Sequence, residues 1–241
     1  MVQAGAVTGL LRQLGWWVQD YWYVVRVQVR SALDREGAET YRRGEPGRSP
    51  VVLVPGVYEP WTFLRPLADA LHQAGHPVHV LPALGYNRGP VPQAATVLRE
   101  VLEAADLRDV AVVAHSKGGL IGKLAMLRED PEGRIRTMAA INTPFAGSAY
   151  ARLVPVRAVR AFVPTDPTLV ALAAEREVNA RITSLYSPFD PHIPAGSVLP
   201  GATNVPLGTP GHFRVLEDPG LAAAVLAAIA AAPHPSDQEH P

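Results

Sequence analysis

The chain has 241 residues, balances 22 Lys and Arg against 22 Asp and Glu, and contains no cysteine. Neutrality removes the electrostatic case for nucleic acid as a partner. The absence of thiols excludes disulfides, cysteine nucleophiles and cysteine-ligated metal. The length suits one good core and demands no second, and no stretch stays apolar for the roughly 18 residues of a membrane-spanning helix.

Residues 1–48 read as an N-terminal segment packing on the body. Leu10, Leu14, Trp17, Val18, Tyr21, Trp22 and Val25 recur at helical spacing and favour one long helix with this face turned inward, although Val25-Arg-Val-Gln-Val-Arg30 alternates as a strand would. Its Trp and Tyr content also suits a lipid interface, so peripheral membrane contact is a second role for it. The opening residues lack a basic n-region, so no cleaved signal peptide is expected, and the expected location is cytoplasmic, with or without that contact.

Residues 49–232 alternate short apolar runs with striped segments. Runs at 51–54, 78–81, 110–114, 135–141, 182–186 and 201–207 read as strands, and stripes at 64–71, 94–102, 120–127 and 221–232 as helices. Such alternation predicts an α/β fold: a mostly parallel sheet with helices on both faces and sites at the carboxyl ends of strands. Residues 149–180 break the rhythm with prolines, as a lid over the site or a lengthened crossover. Residues 233–241 read as a disordered tail.

Between the strand at 110–114 and the helix at 120–127 lies His115-Ser116-Lys117-Gly118-Gly119. A serine on so tight a strand-to-helix turn projects into the crevice, beside helix N–H groups suited to an oxyanion. The pattern Gly-x-Ser-x-Gly is met with Ala114 at the leading position and Gly118 at the trailing one. A serine needs an imidazole to take its proton, and the imidazole needs an acid to fix its tautomer. Of eight histidines, only His192 and His212 fall in loops after the later strands, and His212, between the last strand and the last helix, is preferred. His192 is expected at the rim. Asp190 and Asp166 are the candidate acids; Asp190 follows a strand directly, whereas Asp166 reads as a turn or cap residue and Asp218 as a helix cap. His72, His76 and His79 do not make a metal site, because Gly75 breaks the helix and no carboxylate completes the set; neither metal nor cofactor is expected.

Four segments resemble the α/β-hydrolase superfamily, and within it bacterial lipases and esterases. They are Val51-Val-Leu-Val-Pro-Gly-Val, Ala114-His-Ser-Lys-Gly-Gly, Ile141-Asn-Thr-Pro-Phe-Ala-Gly-Ser and Gly211-His-Phe-Arg-Val-Leu-Glu-Asp-Pro, in that order over residues 50–230. The resemblance implies an α/β-hydrolase fold with Ser116 as nucleophile, Asp190 as acid and His212 as base. It implies oxyanion-hole N–H groups from Lys117 and Val57, with Tyr58 as the alternative to Val57, because Pro55-Gly56 stands where these lipases usually carry His-Gly. Tyr58, His115 and Phe145 are the candidate substrate-binding residues. The Lys117 side chain is expected either in solvent or drawing an acidic substrate group. The implied activity is hydrolysis of a small-molecule or lipid carboxylic ester through an acyl-enzyme. Thioester, amide or acyl-transfer chemistry on the same machinery, and a non-catalytic binding protein on the same fold, are the alternatives. Acyl length and oligomeric state are left open.

Overall fold

The computed structural model describes residues 2–33 and 37–233. The expectation of a disordered tail lies, but for Pro233, outside the described residues. Among the described residues, six strands form one parallel sheet in the order β2-β1-β3-β4-β5-β6: β1 Val51–Val54, β2 Val78–Val80, β3 Val110–His115, β4 Ile135–Ile141, β5 Ile182–Tyr186 and β6 Thr203–Pro206. The order reverses between β1 and β3, so their carboxyl ends splay and open a crevice there.

Each strand divides its residues between two cores, as its period of two requires. Val52, Val54, Val112, Ala114, Met138 and Ala140 face one side, against α3 (Val91–Ala104), α4 (Lys117–Leu124) and α6 (Pro167–Ala174). Val51, Leu53, Ala111, Val113, Ala139 and Ile141 face the other, against α2 (Arg65–Gln73), α7 (Leu221–Ala231) and Tyr23 of α1 (Val2–Leu33). Burial on both faces explains why β1 and β3 read as unbroken apolar runs. Among the described residues, no helix is long and apolar enough to cross a membrane.

Two expectations need correction. The helix after Ser116 is not amphipathic in its first two turns: residues 117–123 are all buried, and the helix loosens into a π turn over Ala125–Glu129. α1 exists as expected, but its docking side is different. Val18 is 71% and Trp22 65% exposed, and Leu14, Tyr21 and Val25 also face solvent, whereas Asp20 and Tyr23 are buried; the side chain of Leu10 lies outside those described. The helix is apolar around most of its girth, so periodicity did not select a side. Ring contacts did, with Trp16 on Phe189 at 5.2 Å and Trp17 on His192 at 5.4 Å, together with the bonds of Asp20 described below.

Residues 149–181, between β4 and β5, hold short turns, α5 (Arg157–Arg160) and α6. Val159 and Phe162 from this stretch wall the pocket that contains Ser116.

Candidate active site

Ser116 sits at the corner between β3 and α4 with φ 52° and ψ −119°, a conformation that L-residues avoid. The corner is possible because its neighbours are small. A Cβ on Gly118 would lie 2.1 Å from the Val54 carbonyl oxygen, and one on Gly119 would lie 2.0 Å from Thr143 Oγ1. Ala114 is fully buried on β3 and fits where a leading glycine is more usual.

The two loops nominated from the sequence reach this corner. Ser116 Oγ lies 2.9 Å from His212 Nε2, and His212 Nδ1 lies 2.7 Å from Asp190 Oδ2. With Nδ1–H donating to the carboxylate, Nε2 is left to accept the serine proton. The other oxygen of Asp190 accepts the His192 and Ile193 N–H groups at 2.8 and 3.0 Å. Burial pushes the Asp190 carboxyl up, but His212 and these donors outweigh it and leave it below the ordinary carboxylate range. Burial likewise pulls the His212 imidazole down, yet Asp190, with Asp20 and Glu59 behind it, carries the net shift upward.

His192 is not the serine's partner. Its ring lies 5.0 Å from that of His212 and walls the same pocket, and burial followed by the charge of His212 pulls it down to about 4. Asp166 caps α6 through the Thr168 and Leu169 N–H groups. Asp218 accepts from Gly208, Thr209 and Gly220, joining the β6–α7 loop to the start of the last helix.

Around Ser116 the pocket encloses about 140 Å³ and is lined by Val57, Pro144, Val159, Phe162 and Ile193 among others. Tyr58 cannot supply an oxyanion N–H, because its N–H already donates to the Tyr86 carbonyl at 2.8 Å. The Gly56 N–H is likewise held by Glu59 Oε2 at 2.7 Å. Among the described residues, the Val57 and Lys117 N–H groups donate to no such loop partner.

The expected substrate wall is only partly where the sequence put it. His115 is fully buried, with Nδ1 2.8 Å from Glu59 Oε1 and Nε2–H donating to the His212 carbonyl at 3.0 Å. It props the imidazole loop from below and does not meet substrate. Phe145 packs in the core beside the pocket, whose lining includes its neighbour Pro144, and Tyr58 opens onto an adjoining cleft. Lys117 fits neither expectation. Its ammonium is buried, donates to the Asn87 and Gly89 carbonyls, and is pulled down by burial to about 8.

Three buried polar residues that the sequence did not nominate brace the imidazole loop. The Asn142 amide donates to the Gly211 and His212 carbonyls, each at 3.0 Å. Glu59 anchors His115, as above. Asp20, from the middle of α1, accepts the His212 N–H at 3.0 Å on one oxygen and the Phe213 and Arg214 N–H groups, both at 2.8 Å, on the other. The available signal was its isolation, since Asp20 is the lone acid in the 32 residues of α1. Among the described residues, no cluster of three or more His, Asp or Glu side chains is placed to hold a metal ion.

No protein-family model matches the chain, and no curated protein sequence matches it. Solved structures do. Lipase B of Aspergillus fumigatus is 23% identical, with a TM-score of 0.67, over 81% of this chain and 56% of that one. The mature lipase BlEst2 of Bacillus licheniformis is 14% identical, with a TM-score of 0.58, over 77% and 94%. An extracellular α/β-hydrolase of a Paenibacillus species is 16% identical, with a TM-score of 0.52, over 77% and 100%. The chain has the α/β-hydrolase fold.

Proposed function

We propose that the protein is a serine hydrolase of carboxylic esters. Ser116 Oγ attacks the ester carbonyl while His212 Nε2 takes its proton, and Asp190 holds the imidazole in the required tautomer. The Val57 and Lys117 N–H groups stabilise the tetrahedral oxyanion. His212 returns the proton to the departing alcohol, and water then attacks the acyl-enzyme with His212 again as base, releasing the acid and free Ser116. The observation that carries this reading is the unbroken run from Asp190 through His212 to Ser116 at 2.7 and 2.9 Å, on a corner whose serine is held at positive φ. The small apolar pocket favours a short acyl group. A fluorophosphonate probe should label the wild-type protein and leave Ser116→Ala unlabelled; equal labelling refutes the proposal. A panel of p-nitrophenyl esters, acyl thioesters and amides should turn over fastest on the esters, and faster thioester or amide cleavage moves the reading to those bonds.

The outward face of α1 adds a membrane-peripheral element to this proposal. Leu11, Leu14, Val18, Trp22, Val25, Val29 and Leu33 form a solvent-facing apolar stripe, and Arg12 and Arg30 are exposed on the same helix. An apolar stripe with Trp on one side and Arg at its border is the pattern of a helix lying in a lipid interface.

A further inference from the structure

The larger cavity in this region lies beside Ser116, not over it. It encloses about 540 Å³, and its walls include Tyr58, Arg88, Arg157, Arg160 and Asp166. Its partition from the serine pocket is α5 and the turn after it: Val159 and Phe162 face Ser116, while Arg160 and Ala161 face the cleft. At the mouth, Val57 belongs to one cavity and Tyr58 to the other.

The cleft is basic although the chain as a whole is neutral. Residues 147–165 contain Arg152, Arg157 and Arg160 with no acid, and residues 82–90 contain Arg88 with none. Among the described residues, neither Arg157 nor Arg160 has an acidic partner. The guanidinium of Arg88 lies 5.3 Å from the ring of Tyr58 and 5.3 Å from that of Tyr86. The backbone on either side of Arg88 is tied down by Lys117, which donates to the Asn87 and Gly89 carbonyls. Among the described residues, the one carboxylate in the wall, Asp166, accepts the Thr168 and Leu169 N–H groups at the start of α6. Three guanidinium groups against one engaged carboxylate leave a local positive field, and guanidinium matches the oxygens of a phosphate or carboxylate.

We infer that this cleft is an anion subsite, and that the ester cleaved at Ser116 carries a phosphate-like oxyanion which Arg88, Arg157 and Arg160 hold. The identity of the ester rests on the serine-hydrolase reading, whereas the anion subsite itself does not.

Two pairs of esters test it: dihexanoyl phosphatidic acid against dihexanoylglycerol, and butyryloxypropyl phosphate against butyryloxypropanol. The anionic member should show kcat/KM higher by about tenfold or more, the yield of one charge-assisted hydrogen bond. That ratio should fall towards one in Arg157→Gln/Arg160→Gln and in about 0.5 M NaCl. A preference in both pairs assigns the subsite to a free oxyanion, and a preference in the lipid pair alone assigns it to a lipid headgroup. A separate arm titrates the same anionic esters and inorganic phosphate into Ser116→Ala by calorimetry. Binding there that the arginine double variant loses supports the subsite even if no ester is hydrolysed, in which case the hydrolase reading alone fails. Ratios near one in both pairs, with phosphate-ester binding equal in the presence and absence of the two arginines, overturn the inference.

Discussion

Replacing Asp20 with asparagine tests how far the imidazole loop depends on α1. The side chain keeps its size, but one of its two oxygens becomes an NH₂ that faces backbone donors. Oδ1 accepts from Phe213 and Arg214, and Oδ2 accepts from His212, so either amide orientation loses at least one bond and opposes N–H to N–H. A hydrogen bond to a buried charge contributes about 1.5–3 kcal/mol, and losing one should lower stability by about that much. For a domain of this size the melting temperature should then fall by roughly 3–12 °C. Asp20→Ala leaves three donors without an acceptor and should cost more, at about 1–3 kcal/mol for each donor left unsatisfied. The pH profile separates positioning from simple destabilisation. His212 works as the neutral base, and its folded-state proton affinity is raised, partly by Asp20. The acid limb of kcat/KM should therefore lie above the ordinary histidine value of about 6.5, and Asp20→Asn should move it to lower pH while lowering kcat. The groups facing His212 are Asp190, His192, His115, Glu59 and Asp20, and only the last changes. By linkage, the stability that the raised affinity of His212 contributes is fully present below about 6.5 and is lost as pH rises through the folded value. The variant should accordingly lose most at low pH. An unchanged acid limb with an unchanged melting temperature would refute the reasoning.

Gly118→Ala places a methyl 2.1 Å from the Val54 carbonyl oxygen, a backbone atom that cannot rotate away. Urea denaturation should show a loss of about 1–3 kcal/mol, with ester turnover reduced further because Ser116 shifts; a variant that is both stable and fully active contradicts the tight-corner account. The full chain should sediment with vesicles containing phosphatidylglycerol more than with pure phosphatidylcholine. Val18→Ser/Trp22→Ser/Val29→Ser should weaken that association roughly a hundredfold, at about 1 kcal/mol per side chain. Absence of binding to both vesicle types counts against a lipid role for α1.

What could be read from the sequence follows from where the physics is local. The limits of β1 and β4 are legible to the residue: β1 is an apolar run closed by Pro50 and Pro55, and β4, which admits Arg136 and Thr137, is closed by Arg134 and Asn142. Ser116, Asp190 and His212 could be nominated because each sits in a loop at a strand's carboxyl end. The structure brings those three side chains within hydrogen-bond reach of one another. The misreadings share one cause. Whether His115 and Lys117 face solvent, substrate or core depends on Glu59 and on the loop at 87–89, which are distant in sequence. The side on which α1 docks depends on Asp20 meeting residues 212–214, and no periodicity encodes that meeting.

Asp20 and His212 are 192 positions apart. α1 meets Thr62 and Phe63 through Ser31 and Tyr23, but Asp20 has its partners only once residues 212–214 are in place. Joining points so distant is entropically expensive and slow. A partly folded copy can therefore hold its serine corner without the proton acceptor beside it, because the loop that carries His212 is also the distant partner of Asp20.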